Sequence, residues 1–135
     1  MEAFHRYSYK YYVVHLAKHG RALFDQNAEE ESVSQVEMNT FIKRWHPKIE
    51  QVMGLHCMGL AGEWDWIGVF GMDDLSSWVG FREELTRTFP GHITAFLSLP
   101  GISHTEFVSA TNDVPHYQKL RALGVLPGQA EFSEN

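Results

Sequence analysis

The chain has one cysteine in 135 residues, so no internal disulfide can form, and a reducing, cytoplasmic setting is the expectation. It has no apolar run approaching the ~18 residues that a membrane-spanning helix needs. Its opening residues, MEAFHRYSYKYY, contain no apolar stretch of the signal-peptide kind. Positive charge is scarce: 11 Lys and Arg stand against 17 Asp and Glu, a formal charge of −6. That balance gives no general attraction for DNA, RNA or anionic lipid, so neither a nucleic-acid nor a membrane partner is expected. Glycine-rich phosphate loops, an H-x-x-x-H helix and paired cysteines are missing as well. No metal and no resident cofactor are expected.

What the chain does have is aromatic mass. Nine Phe, five Tyr and four Trp make up 13% of it, more than a minimal core needs. The excess points to a large apolar cavity or interface. The length suits one domain, at about 100–200 residues each, with a hydrophobic share of 44% to fill its core.

Residues 7–18, YSYKYYVVHLAK, read as a strand. Tyr11, Val13 and His15 share one face; Tyr12, Val14 and Leu16 share the other. The polar stretch 19–32, with Gly20 and the run Glu29-Glu30-Glu31, reads as a loop. Over residues 33–52, Met38, Ile42, Trp45, Ile49 and Val52 recur at spacings of four and three, one stripe of an α-helix. Pro47 is expected to kink or break it. Residues 55–61 read as a short strand, Gly62-Glu63 as a tight turn and 64–72 as a further strand. On that strand Trp64, Trp66 and Phe70 share a face, and Ile67 and Val69 occupy the other. A second amphipathic helix over 73–89 starts at Asp73 or Asp74, places Leu75, Trp78, Arg82, Leu85 and Phe89 on one stripe, and ends at Pro90-Gly91. A fourth strand, 92–99, is expected to stop at Pro100-Gly101. One short helix, about 114–123, and a frayed end follow.

The order is β-α-β-β-α-β, which predicts an α+β, ferredoxin-like fold: a four-stranded antiparallel sheet with two helices on one face. Residues 1–101 form the core domain and 102–135 a C-terminal extension. The first and third strands are apolar on both faces, whereas a sheet with one wet face should alternate. The uncovered face therefore needs a partner. A second copy of the chain is the simplest, giving a homodimer through the sheet face; the C-terminal extension could instead cover part of that face, or wrap the partner.

The segment Gly62-Glu63-Trp64-Asp65-Trp66-Ile67-Gly68-Val69-Phe70, with Asp73-Asp74-Leu75 after it, resembles the G-x-[aromatic]-D-[aromatic]-[aliphatic] pattern of dimeric α/β-barrel proteins. It is similar to the ethyl tert-butyl ether degradation and GYD families and to small antibiotic-biosynthesis-monooxygenase-type proteins. The resemblance covers residues 7–101. It implies a homodimer with facing sheets and a pocket in each subunit between sheet and helices. Relatives of that kind include isomerases, cofactor-free oxygenases, polyketide cyclases, haem-degrading enzymes and plain ligand binders. Ligand-sensing domains of leucine-responsive regulators carry a comparable stretch, but the acidic balance and the lack of a preceding helix-turn-helix argue against that branch.

Two residues are candidates for chemistry. His15, set among valines and a leucine, is a general base or a core histidine with one satisfied hydrogen bond. Arg82 falls on an apolar helix stripe, where a guanidinium needs a carboxylate, a water path or a ligand anion, or must reach the surface past Trp78. Trp45, Trp66, Phe70, Trp78 and Phe81 are candidates for the walls of a ligand pocket. His56 and His92 lie near strand ends. Asp65 is expected to accept backbone N–H bonds beside the turn, and Cys57 lacks a base on its own face. The resulting expectation is a small cofactor-independent enzyme (isomerase, cyclase or monooxygenase type) acting on a hydrophobic, aromatic or polyketide-like molecule. His15 would move a proton and Arg82 would steady negative charge. The alternatives are a non-catalytic small-molecule-binding or accessory protein, and a haem-binding monooxygenase.

Overall fold

The structure, a computed structural model, describes residues 8–124. Its elements run β1 (Tyr11–His19), α1 (Arg21–Phe24), α2 (Ala28–Trp45), β2 (Glu50–His56), β3 (Trp66–Met72), α3 (Ser76–Thr88), β4 (Ile93–Ile102), α4 (His104–Ala110) and α5 (Pro115–Ala122). The four strands form one sheet in the order β2-β3-β1-β4. All neighbouring strands are antiparallel. This is the ferredoxin-like α+β arrangement.

Helix α2 begins earlier than the apolar stripe indicates. The side chain of Asn27 accepts from the Glu30 N–H, and the Glu30 carboxylate accepts from the Asn27 N–H. This capping box starts the helix at Ala28. The run Glu29-Glu30-Glu31, expected in a loop, is therefore the first turn of α2, where negative charge favours the dipole. The helix stops at Trp45, and the His46-Pro47 bond is cis. Pro47 thus breaks the element rather than kinking it. Ile49 and Val52 lie beyond the helix they were expected to extend. Ile49 is buried in the turn, and Val52 sits at an irregularity of β2, half exposed. β2 is correspondingly shifted to 50–56, and 57–65 is a loop rather than strand, in which Gly62 and Glu63 form the expected tight turn, closed by the Trp64 N–H donating to the Ala61 carbonyl at 3.2 Å.

β4 runs through Pro100-Gly101 to Ile102. It is an edge strand, and an edge can accommodate a residue without an N–H donor. α3 begins at Ser76, where the Asp74 carboxylate accepts from both the backbone N–H and the hydroxyl of Ser76. The short helices α1 and α4 were not legible in the pattern. The strand start at residue 7 and the end at 126–135 lie outside the described residues.

The register divides the sheet's side chains into two sets. On the helix side, successive rungs read Gln51–Phe70–Val13–Pro100, then Gly54–Gly68–His15–Ser98, then His56–Trp66–Ala17–Phe96. The core lies here: Val13, Phe70 and Met72 pack against Phe41 of α2 and against Trp78, Phe81 and Leu85 of α3, with Ile49 and Phe89 closing the ends. On the other side two adjacent rungs are wholly apolar: Met53–Val69–Val14–Leu99 and Leu55–Ile67–Leu16–Leu97. Val14, Met53, Leu55, Leu97 and Leu99 are all exposed. The two-sided apolar character of β1 and β3 is therefore real, and no described element covers that second face.

Candidate functional site

The middle helix-side rung creates the site. His15 is flanked there by Gly68 and Ser98, with Gly54 beyond. Two glycines leave the sheet bare beside the imidazole, and the Trp66 indole fills that space. A Cβ at Gly54 would stand 3.1 Å from Trp66 Cζ2, and one at Gly68 would collide with the same ring. Glycine is required at both positions for close packing rather than for a turn.

Between this floor and helices α2 and α3 lies a cavity of about 330 Å3. Its apolar wall comes from Trp66, Phe70, Phe81, Leu85, Met38 and Ile42. Its mouth is polar, with Glu31, Gln35 and Asn39 from α2 facing His19, His56 and His92. A second cavity of about 240 Å3 lies on the other side of His15, lined by His15, Arg82, Thr86, Thr94 and Phe96 among others. His15, Leu85 and Ile93 border both.

His15 is 2% exposed. Its ring packs at 5.2 Å from Trp78, 5.8 Å from Phe96, 6.4 Å from Phe70 and 6.5 Å from Trp66, measured between centroids. Nδ1 lies 3.1 Å from Ser98 Oγ. Nε2 is buried without a partner. Burial pushes its pKa down from 6.5 to about 4, and the nearby Arg82 charge adds to the shift. At neutral pH the ring is uncharged. A base with its pKa lowered so far is a weak proton acceptor near pH 7.

Arg82 neither reaches a carboxylate nor passes Trp78 to the surface as a free head. Its guanidinium carbon lies 3.7 Å above the Phe96 ring, a cation–π contact. Its Nε is buried without a partner. Among the described residues it forms no ion pair.

Of the five aromatic candidates, Trp66, Phe70 and Phe81 line the first cavity. Trp45 does not: its indole N–H donates to Glu84 at 2.9 Å, and its ring packs on Phe81. Nor does Trp78, which stacks on Phe81 and meets the His15 ring edge-on. Asp65 ties strand ends together. Its carboxylate accepts the His19 N–H at 2.8 Å, its N–H donates to Ala17, and its carbonyl accepts from Cys57. Asp65 thereby sets β1 and the β2–β3 loop side by side and brings His19 and His56 to one rim. Burial lowers the His19 pKa, Asp65 opposes that shift, and His56 and His92 add to it. Even so, among the described residues no group of three His, Cys, Asp or Glu is placed to hold a metal ion. The sequence reading missed Ser98, Phe96 and the two glycines. The signal available was the W-x-G alternation of Trp66-Ile67-Gly68, an aromatic beside an empty position on one face.

No family model matches this chain, and no curated protein does. Solved structures do. A chlorite dismutase from Candidatus Nitrospira defluvii in complex with imidazole superposes with a TM-score of 0.63 at 21% identity, over 84% of this chain and 47% of its own. A double mutant of that protein gives 0.61 at 19% identity, over 73% and 43%. A single mutant gives 0.62 at 20%, over 87% and 49%. These likenesses establish the fold. The finer resemblance to the ether-degradation, GYD and antibiotic-biosynthesis types gains no support from them. The chain spans less than half the length of the dismutase chains it matches.

The buried neutral imidazole makes a pH prediction. Below pH 6.5 the unfolded chain takes up a proton that folded His15 refuses until about pH 4. The stability His15 permits is whole above pH 6.5 and is lost progressively between pH 6.5 and 4, by up to about 3 kcal/mol. Urea unfolding of the wild type and His15→Gln across that range is expected to show the wild type falling more steeply. Parallel profiles would contradict the neutral assignment.

Proposed function

We propose that the chain is a small-molecule-binding protein whose site is the cavity between the sheet and helices α2 and α3. The observation that carries this reading is an aromatic-walled space with His15, uncharged and with its Nε2 unpartnered, among its lining residues. A buried polar atom without a partner costs about 1–3 kcal/mol, a cost that a ligand group bonded to it would remove. The volume lies at the lower end of the ~300–1,000 Å3 common for ligand sites. Trp66, Phe70 and Phe81 suit a flat apolar body, and His15 fixes its orientation by one hydrogen bond. Binding is favoured over proton transfer because the imidazole is too weak a base at neutral pH.

The haem-degrading members of the resembling superfamily raise haem as a second reading, and one observation favours it: an uncharged imidazole nitrogen is what an iron centre takes. The rest of the site does not fit. Among the described residues lining the first cavity there is no Lys or Arg to meet a haem's two carboxylates. Neither α2 nor α3 carries a histidine. The His15 ring is enclosed by four aromatic rings. Haem coordination by His15 therefore has no part in the proposal; the haem-binding alternative, with which the chlorite dismutase-type fold is compatible, stands as the second reading.

The open sheet face completes the reading. Two rungs of four apolar side chains form a continuous patch, of the kind that marks an interaction surface. The dismutase chains are roughly twice as long as this one, long enough to hold a second unit of similar size. We assign the face to a second copy of this chain, sheet against sheet.

Calorimetry with 2-naphthol, a flat apolar probe, is expected to show one site per chain. Met38→Phe, which fills the cavity, is expected to abolish it, and binding that survived the filling would contradict the site. Non-denaturing mass spectrometry is expected to show a species near twice 15.5 kDa, reduced to the single mass by Leu97→Glu with the far-UV circular dichroism unchanged. A wild-type monomer would contradict the sheet-face assignment, and a Soret band lost in His15→Ala would overturn the exclusion of His15 as a haem ligand.

A further inference from the structure

The second cavity carries a feature that the apolar pocket does not need. Arg82 is the one charged side chain among its described lining residues, which include no carboxylate. The guanidinium is held flat on Phe96 at 3.7 Å, so the Phe96 ring fixes the plane of its donors. Its Nε is buried and unpaired, as is Nε2 of His15 on the same cavity. The hydroxyls of Thr86 and Thr94 accompany them, although each already donates to a backbone carbonyl, Arg82 and Lys18 respectively. A part-buried guanidinium without a carboxylate stands ready for an anion, and its planar fork matches a carboxylate. The chain's formal charge of −6 does not overrule this, because exposed charges beyond about 8 Å are screened at physiological salt.

We propose that the second cavity is an anion subsite, and that the ligand is an aromatic carboxylic acid lying past His15. Its ring system occupies the Trp66–Phe70–Phe81 wall of the first cavity, and its carboxylate meets Arg82 in the second. His15, Leu85 and Ile93 border both spaces, so one ligand reaching past them would occupy both. This rests on the small-molecule reading above and adds the ligand's charge to it.

The test compares 1-naphthoate with the neutral 1-naphthamide on wild-type protein at pH 7.5, read by quenching of tryptophan fluorescence. A charge-assisted pair in this setting predicts that the acid binds at least about tenfold tighter than the amide. Arg82→Gln is expected to remove that preference while leaving amide binding within about twofold, and Arg82→Lys to restore part of it. Equal binding of acid and amide to the wild type overturns the anion subsite and leaves the apolar cavity standing. Binding of neither compound overturns both.

Discussion

The arrangement depends on placing an uncharged imidazole in the middle of a sheet, on the face that the helices cover. His15 is sealed by Trp66, Phe70, Trp78 and Phe96. An imidazolium there would be heavily penalised, and Arg82 nearby raises the penalty. The fold therefore accepts the ring only in its neutral form, with Ser98 satisfying one nitrogen. The other nitrogen is left to whatever enters the cavity. The Trp66 indole laid over the two glycines of the same rung, and the cation–π contact of Arg82 with Phe96, complete the aromatic surroundings of the ring.

The two faces of the sheet divide the work. The helix face holds core and cavity together: Phe41, Phe81 and Phe70 pack in the core, Phe81 and Phe70 also line the cavity, and His19, His56 and His92 border it. The opposite face holds only aliphatic side chains on its two central rungs. A face of that composition is unfavourable in water and favourable against its like. The proposed ligand site and the proposed assembly surface thus lie on opposite sides of one layer, and β1 contributes alternate residues to each face.

Much of this was legible in the sequence. The order of elements, the two faces of β1 and β3, and the inward stripe of α3 followed from periodicity alone. The errors have local causes. Ile49 and Val52 continue the α2 stripe at helical spacing past Pro47, so β2 was read several residues late; a break at proline outweighed a matching period. The acidic run was taken for solvated loop because the Asn27–Glu30 capping box is a pairing of two polar side chains and leaves no apolar signature. Pro100 looked like a stop because edge position, which tolerates it, is a property of topology. In the site, periodicity put Trp45 and Trp78 on inward stripes, but it does not report where along the helix the walls part. The absence of side chains at Gly54 and Gly68 makes room for the Trp66 indole in the cavity wall, which no apolar count registers.

The most direct test of the account is the 15N spectrum of the imidazoles at pH 5.5. The account predicts that the His15 signals, assigned by their loss in His15→Gln, still report a neutral tautomeric form at that pH. A His15 that titrates with a pKa near 6.5 would contradict it, because the ring would then be wet, and neither the dry cavity nor the orphaned nitrogen could exist as described.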